Sequence, residues 1–264
     1  MLTLWTDDVD VARSADAAGV DRVGLDLETL GKRERQWGRG TWISPHNLER
    51  LPALRDALGE ARLFTRVNPV HPRTHEEVER VIAGGAEVLM LPMFRSAEEV
   101  ERFVEIVADR AEVVLLLETR EAAERIETIA AVGGVGEVHV GINDLAIELG
   151  LGSRFAVYDS PPVAHASDVV RAAGMRFGIG GLGRVDDRSL PLQSPLLYAQ
   201  YARLHATAAL ISRAFMASRM SPERFRDQVE RTRAELSRWF DAGPDALARA
   251  HREFRRAVAT MPGW

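Results

Sequence analysis

The alternation of short apolar strand patterns with helical patterns constrains the fold of this chain more than any other feature. Eight strand patterns occur, each followed by a helical segment, and several are continuous apolar runs, as in parallel strands covered on both faces. Alternating strands and helices predict a parallel sheet, and eight units predict that it closes into a (β/α)8 barrel, or TIM barrel. The strand patterns cover residues 2–6, 21–28, 62–68, 87–93, 112–118, 137–144, 176–181 and 209–215.

The length of the chain is compatible with one such barrel. A (β/α)8 barrel needs about 250 residues, and this chain has 264. The alternative, a doubly wound open sheet, is expected to carry a glycine-rich phosphate loop after its first strand. The segment TDDVDVARS, which follows the first strand here, contains no glycine. We therefore expect a catalytic barrel domain over residues 1–220.

Residues 221–264 are predicted to form a separate C-terminal helical extension. Two helical patterns are separated by a break at DAGP, residues 241–244. Phe225, Val229, Leu236 and Phe240 fall at helical spacing and form an apolar stripe. The pair either packs on its own barrel or reaches a neighbouring subunit.

Composition excludes several classes of site and partner. The chain has no cysteine, which excludes disulfides, zinc–thiolate sites, iron–sulfur clusters and a cysteine nucleophile. The net charge of −5 gives no electrostatic footprint for nucleic acid. No apolar run approaches the ~18 residues of a membrane-spanning helix, and the acidic first ten residues do not resemble a signal peptide. We expect a cytoplasmic protein that binds neither nucleic acid nor membranes.

The chain contains a single lysine among its 34 basic residues. A Schiff-base mechanism needs a desolvated lysine amine. Only Lys32 could supply it, and Lys32 lies in the charged stretch GKRER, which we expect to be a loop. Covalent aldolase chemistry based on lysine is therefore disfavoured.

The active site of such a barrel forms at the carboxyl ends of the strands. Glu118 follows the apolar run of the fifth strand pattern, and Asp144 ends the sixth. A carboxylate in such a place is costly unless it is paired or bound to a cation. Two of them on neighbouring strands suit a hard cation, Mg²⁺ or alternatively Mn²⁺ or Co²⁺. The alternatives are that Asp144 caps the next helix and that Glu118 pairs with Arg120.

Three further residues are candidates for catalysis. Arg66, between apolar residues in LFTRVN, needs a carboxylate or phosphate partner, so it binds an anionic substrate or pairs internally with Glu28 or Glu118. Glu28 ends the second strand pattern. His46, in the long loop after that strand, is the best-placed acid–base group, whereas His139 within the sixth strand is expected to lie in the core.

The glycine-rich segment GIGGLGR, residues 178–184, has two interpretations. Its backbone amides either face an anion or its glycines permit close packing at the end of the barrel. The remaining histidines are expected to be solvated: His71, His75, His165, His205 and His251.

These residues make the sequence resemble the HpcH/HpaI aldolase and citrate lyase β-subunit family of metal-dependent carbon–carbon lyases. The resemblance extends from about residue 21 to residue 215 and rests on the order of its segments. These are GLDLE (24–28), TRVNP (65–69), GAEVLMLPM (85–93) with SAEEVE (96–101), LLLETREAA (115–123) and VGINDLAIELG (140–150).

The resemblance implies roles for three residues. The family's glutamate in an ET motif matches Glu118 and its aspartate in an NDL motif matches Asp144, and together these would hold Mg²⁺ or Mn²⁺. Its arginine in an R-V motif matches Arg66, which would bind the substrate carboxylate and the developing enolate. The resemblance also implies a (β/α)8 barrel in a homo-oligomer, a trimer or hexamer, whose C-terminal helices are often exchanged between subunits.

The sequence departs from one branch of the family and is compatible with another. The 2-oxo-acid aldolases carry a histidine directly after the glutamate of the second strand, where this chain has Thr29. The citrate-lyase-like branch carries acids at the end of that strand and a lysine and arginine downstream. Residues compatible with that branch are Asp26, Glu28, Lys32, Arg33 and Arg35.

The sequence therefore predicts a metal-dependent lyase for a small carboxylate substrate. It would make or break a carbon–carbon bond next to a 2-oxo acid, a hydroxy acid or an acyl thioester such as a coenzyme A thioester. Arg66, Glu28 and His46 are the expected catalytic groups, and the general base is either His46 or a metal-bound water. The alternatives are a hydrolase or isomerase that uses the same enolate, and a non-catalytic homologue.

Overall fold

A closed barrel of eight parallel strands forms the centre of the molecule. The computed structural model describes residues 1–35, 46–188, 191–212, 215 and 220–261. Each strand pairs with its neighbour in sequence, and the last pairs with the first. The predicted (β/α)8 barrel is confirmed. The strands are β1 (Leu2–Trp5), β2 (Arg22–Asp26), β3 (Arg62–Arg66), β4 (Val88–Leu91), β5 (Glu112–Leu117), β6 (Val135–Val140), β7 (Arg176–Leu182) and β8 (Ala208–Ile211).

Helices cover the outside of the barrel. Polar side chains begin several of them by accepting hydrogen bonds from the free N–H groups of the first turn, as Asp8 and Ser96 do. The helices are α1 (Val9–Ala17), α2 (Lys32–Arg35), α3 (Leu51–Ala57), α4 (Thr74–Ala83), α5 (Ala97–Val107), α6 (Arg120–Glu124), α7 (Ile126–Ala130), α8 (Ile142–Glu148), α9 (Pro161–Ala172), α10 (Ser194–Arg203), α11 (Pro222–Phe240) and α12 (Pro244–Ala259), with 3-10 turns at Leu48–Arg50 and Arg154–Asp159.

Two strands end four residues earlier than the sequence pattern predicts. β6 ends at Val140, and Asp144 belongs to the first turn of α8 instead of the strand. The apolar pattern runs through this junction because α8 buries its first turn, so the pattern does not mark the change of element. β8 ends at Ile211, and Arg213, in the predicted extension of that strand, lies outside the described residues.

The apolar core has two layers. The larger layer lies between the strands and the surrounding helices, and the smaller one fills the barrel. Full burial of one such side chain stabilises the fold by about 1.5–3 kcal/mol. The inner layer consists of Phe64, Val88, Met90, Val114 and Leu116, with Trp5 packed against it.

The amino-terminal end of the barrel is closed by charged side chains. We call this group the basal cluster; it consists of Arg22, Arg62, Glu112, Glu137 and Arg176. Arg22 donates to Glu137 at 2.9 Å and to Glu112 at 2.7 Å. Arg62 and Arg176 also donate to Glu112, and Arg176 Nε donates to Glu137 at 3.1 Å. Burial would raise the pKa of Glu137, but hydrogen bonds and nearby positive charge lower it to about 2.

The GIGGLGR segment forms the end of β7 and packs against buried phenol groups. Hydroxyl groups donate to its backbone carbonyls in three places: Tyr158 to Gly180 at 2.5 Å, Tyr201 to Ile179 at 3.2 Å and Tyr198 to Gly183 at 2.7 Å. Gly181 has φ of 94°, and a Cβ there would lie 2.6 Å from Ile142 Cδ1. Close packing, one of the two interpretations of this segment, is therefore observed.

The C-terminal helices pack on the barrel of the same chain. Both α11 and α12 contact α10, and α11 also contacts α1. Phe225, Val229 and Phe254 are buried, whereas Phe240, expected within the apolar stripe, is 40% exposed. Exchange of this pair between subunits stays a prediction. Within the described residues, no helix is long and apolar enough to cross a bilayer.

Candidate active site

The carboxyl ends of β2 and β3 bring Asp26 and Arg66 together. The two residues are direct neighbours in the strand register. Nε and Nη2 of Arg66 each donate to one carboxylate oxygen of Asp26 at 2.8 Å, and the guanidinium carbon lies 4.5 Å from the ring centroid of Trp5. Burial would raise the pKa of Asp26, but Arg66 and Lys32 hold it well below its usual range. The sequence left open an internal ion pair for Arg66, and the principal partner is Asp26.

The segment after β2 adds two cations to the mouth of the barrel. The expected loop contains the one-turn helix α2, and Lys32 is 2% exposed. Its Nζ lies 2.7 Å from Asp26 Oδ2 and 3.5 Å from Glu28 Oε2. The prediction that Lys32 lies in a loop is wrong, because Lys32 begins α2. Its burial is possible because ion pairs with the acids at the end of β2 offset the cost of removing the charge from water. Arg35 pairs with the other carboxylate oxygen of Glu28, Oε1.

Asn68 fixes the beginning of this segment. Its Oδ1 accepts hydrogen bonds from the backbone N–H groups of Thr29 at 2.9 Å and Leu30 at 3.0 Å. Its Nδ2 donates to Glu77 Oε1 at 2.8 Å, and the other oxygen of Glu77 lies 3.0 Å from His71 Nε2. The chain leading to α2 is thus attached to the loop after β3 and to α4.

Glu118 and Asp144 lie at the same mouth and are both buried, 2% and 5% exposed. Gly141, between their elements, makes room for them: a Cβ there would lie 2.6 Å from Glu118 Oε2. Glu118 Oε1 has no hydrogen-bond partner within the described part of the chain. Burial and the neighbouring charges of Glu28 and Asp144 raise the pKa of Glu118 well above its usual range.

The structural alternatives for these two acids are not observed within the described residues. The residue at the N-terminal cap of α8 is Gly141, so Asp144 does not cap this helix. Arg120 donates to the backbone carbonyl of Glu148 at 2.5 Å instead of pairing with Glu118.

The donor set fits a small divalent cation. Glu118 Oε1 is buried, has no hydrogen bond from any residue that the structure describes, and belongs to a carboxylate that lies near the buried carboxylate of Asp144. A bound cation stabilises such a pair of carboxylates. Within the described residues no group of three or more His, Cys, Asp or Glu side chains is arranged to hold a metal. Glu118 and Asp144 would therefore supply two ligands, a number typical of Mg²⁺ sites, in which waters and substrate complete the shell.

His46 lies beside the mouth with both ring nitrogens directed at the protein. Its Nδ1 accepts a hydrogen bond from the backbone N–H of Asp26 at 2.9 Å, and its Nε2 lies 3.9 Å from Asp7 Oδ1. Burial lowers its pKa, against the opposing effect of both carboxylates. The ring is therefore neutral over more of the pH range than a free imidazole, but it can accept a substrate proton only after its bond to Asp26 opens.

The other histidines divide into two groups. His139 is 2% exposed, and its predicted core position is confirmed. The expectation of solvated side chains is wrong for His71 and His251, which are partly buried and lie 3.0 Å from carboxylate oxygens of Glu77 and Asp159.

Sequence reasoning did not identify Trp5, Gly141 or the attachment made by Asn68. Trp5 looks like any apolar strand residue, and only its position at the end of β1 could have marked it. Asn68 lies just after β3, but its partners come from the segment after β2 and from α4, which no local pattern reveals.

The comparisons with known proteins identify the family of this chain and support its fold. Residues 1–187 match the HpcH/HpaI aldolase/citrate lyase family. The chain belongs to this family. The family is one of aldolases and citrate lyases.

Individual relatives are more distant. A hydroxypyruvate/pyruvate aldolase of Rhizorhabdus wittichii is 38% identical over 77 residues, and the match covers 26% of this chain and 31% of that protein. The crystal structure of an HpcH/HpaI aldolase from Desulfitobacterium hafniense has a TM-score of 0.59 and 20% identity, covering 82% of this chain and 88% of that one. A family protein from Burkholderia cenocepacia has a TM-score of 0.62 and 19% identity, covering 88% and 94%. At these identities the two structures support the fold alone.

Proposed function

We propose that this chain is a divalent-metal-dependent carbon–carbon lyase that acts on a small carboxylate substrate through an enolate. The observation that carries the proposal is the buried pair of Glu118 and Asp144 beside the fixed guanidinium of Arg66, in which Glu118 Oε1 has no hydrogen-bond partner among the described residues. Members of this family generally depend on a divalent cation.

The charge of the mouth supports an anionic substrate. Within the described part of the chain, four carboxylates, Asp26, Glu28, Glu118 and Asp144, face three cations, Lys32, Arg35 and Arg66. The sum is one negative charge when all are ionised, and a divalent cation would change it to one positive charge. A 2-oxo acid, a hydroxy acid or the carbonyl end of a coenzyme A thioester with a nearby carboxylate would then meet a complementary site.

The residues of the chain would divide the work. Arg66 is held by Asp26 before substrate arrives, so it would bind the substrate carboxylate and face the developing enolate oxygen with no reorganisation. Glu28 contacts Arg35, Lys32 and Arg66 in ion pairs, and it would fix the positions of these three side chains relative to one another. A bound divalent cation supplies Lewis acidity towards the carbonyl oxygen. His46 would take the hydroxyl proton once its bond to Asp26 opens.

Product analysis tests this proposal. The purified protein is incubated with Mg²⁺, Mn²⁺ or Co²⁺ and a panel of hydroxy acids, 2-oxo acids and acyl thioesters, and products are identified by mass spectrometry. We expect two carbon fragments from one substrate, loss of the reaction in EDTA and recovery on adding metal. A single hydrolysed or isomerised product would favour a different reaction at the same enolate. Cleavage that persists in EDTA would contradict the proposed dependence on a divalent metal.

A further inference from the structure

Arg35 spans the mouth of the barrel. Its Nη2 donates to Glu28, which follows β2, and its Nε lies 3.7 Å from Asp144 Oδ1, which follows β6. In a closed barrel of eight strands, β2 and β6 lie on opposite sides. One guanidinium thus joins carboxylates from the two sides, and it reaches one of the two acids assigned above to the metal.

We propose that Arg35 and a divalent cation compete for Asp144, so that metal binding moves the guanidinium off this carboxylate and turns it towards the bound substrate. The inference rests on the proposed function, because it concerns the same metal site. Arg35 thereby has a positioning role at the metal site, which is separate from the roles of the two proposed metal ligands and of Arg66.

Electrostatics explains the competition. A Mg²⁺ ion binds carboxylate oxygens at about 2.0–2.1 Å, so an ion on Asp144 Oδ1 would lie only a few ångströms from the Arg35 guanidinium. Positive charges at such a distance repel each other strongly at the edge of a protein. By linkage, a contact that weakens metal binding is itself weakened by the metal to the same degree.

The placement of Arg35 permits this movement, whereas that of Lys32 does not. Lys32 is 2% exposed and lies between Asp26 and Glu28. The side chain of Arg35 is 20% exposed and projects from the last residue of a helix of four residues. The attachment of the segment by Asn68 lies at its other end. The guanidinium can therefore turn while the backbone of the segment stays attached.

Calorimetric titration with Mn²⁺ tests the competition without relying on turnover. Arg35→Gln removes the competing charge, so we expect Mn²⁺ to bind about tenfold more tightly or better than to the wild type. Arg171→Gln, which removes an equal charge on α9, is the matched control and should leave the affinity unchanged. Arg35→Met, which keeps the apolar stem, is the second variant, and circular dichroism checks the fold of each.

The outcomes are distinguishable. Unchanged or weaker Mn²⁺ binding by folded Arg35→Gln and Arg35→Met, with normal binding by the wild type, overturns the competition and leaves the proposed function intact. No Mn²⁺ binding by the wild type overturns both. In the Asp144→Asn background, Arg35→Gln should produce at most a small gain, and a full tenfold gain there would show that Arg35 acts without Asp144.

Discussion

The two ends of the barrel bury similar charged groups with opposite results. In the basal cluster, each carboxylate meets at least two arginines, and the pKa of Glu137 falls to about 2. At the opposite mouth, among the residues that the structure describes, acids outnumber cations, and Glu118 faces two other carboxylates while its Oε1 lacks a hydrogen bond. Buried charge stabilises a fold only when its partners are complete. The incomplete end is therefore where we expect a ligand to supply the missing charge.

The largest effect should come from Glu118→Gln. We expect turnover to fall to background, because the variant would remove the charge of one of the two proposed metal ligands. In EDTA its melting temperature should be higher than that of the wild type, because burial and neighbouring acids make the ionised carboxylate costly. Steady-state kinetics and calorimetry measure the two effects. Near-wild-type turnover would contradict the assignment of Glu118 as a metal ligand. A lower melting temperature would show that ionised Glu118 does not destabilise the metal-free fold.

Arg66 should give the next largest effect. Arg66→Ala is expected to lower kcat by roughly 10²–10³-fold, the usual cost of a lost donor to a developing oxyanion. Arg66→Lys should be nearly as damaging, because an ammonium group cannot reproduce the two-pronged contact with Asp26. Arg22→Lys, at the basal cluster, is the control and should leave kcat unchanged in protein that stays folded. If Arg66→Lys kept most of the activity, the positive charge of Arg66 would matter and the two-pronged geometry of its guanidinium would not.

Glu137→Gln should affect stability and leave turnover unchanged. Removing one partner of a buried ion cluster leaves Arg22 and Arg176 with incomplete pairing, which costs about 3–5 kcal/mol of unfolding free energy. Urea denaturation at neutral pH measures the loss, and kcat serves as the control. A loss of activity without a loss of stability would mean that the two ends are coupled.

The same variant gives a pH test. The pKa of Glu137 is about 2 in the folded chain, against an ordinary value of 4.5. Its stabilising contribution is therefore complete above about pH 4.5 and disappears as the pH falls towards 2. The stability difference between the wild type and Glu137→Gln should shrink over that range, as measured by urea denaturation at several pH values. A constant difference would show that the charge of Glu137 is not the cause.

The smallest effect is expected at Lys32. Borohydride added with a 2-oxo acid should leave no reduced adduct, because Nζ is buried in an ion pair with Asp26 at 2.7 Å and does not face a substrate carbonyl. Mass spectrometry of the tryptic peptide checks this, and the chain offers no other lysine side chain. An adduct at Lys32 would overturn the metal mechanism.

The sequence predicts the barrel well because buried parallel strands leave apolar runs that local patterns detect. It also places Glu118 and Arg66 at the correct mouth, since both directly follow or end such runs. It cannot predict that Lys32 is buried, because the acids that pair with it come together only through the turn after β2. Nor can it predict the contact of Arg35 with Asp144, which joins residues more than a hundred positions apart.

The tyrosines that donate to the end of β7 can report the opening of this region through their ultraviolet absorbance. Its only three tyrosines, Tyr158, Tyr198 and Tyr201, are all buried at this place. Burial raises the pKa of each phenol well above its usual range. In alkaline solution the folded chain should therefore show almost no tyrosinate absorbance, and the signal should appear only as the β7–α10 region opens. Ultraviolet difference spectra would then follow the opening of one quadrant of the barrel without any label.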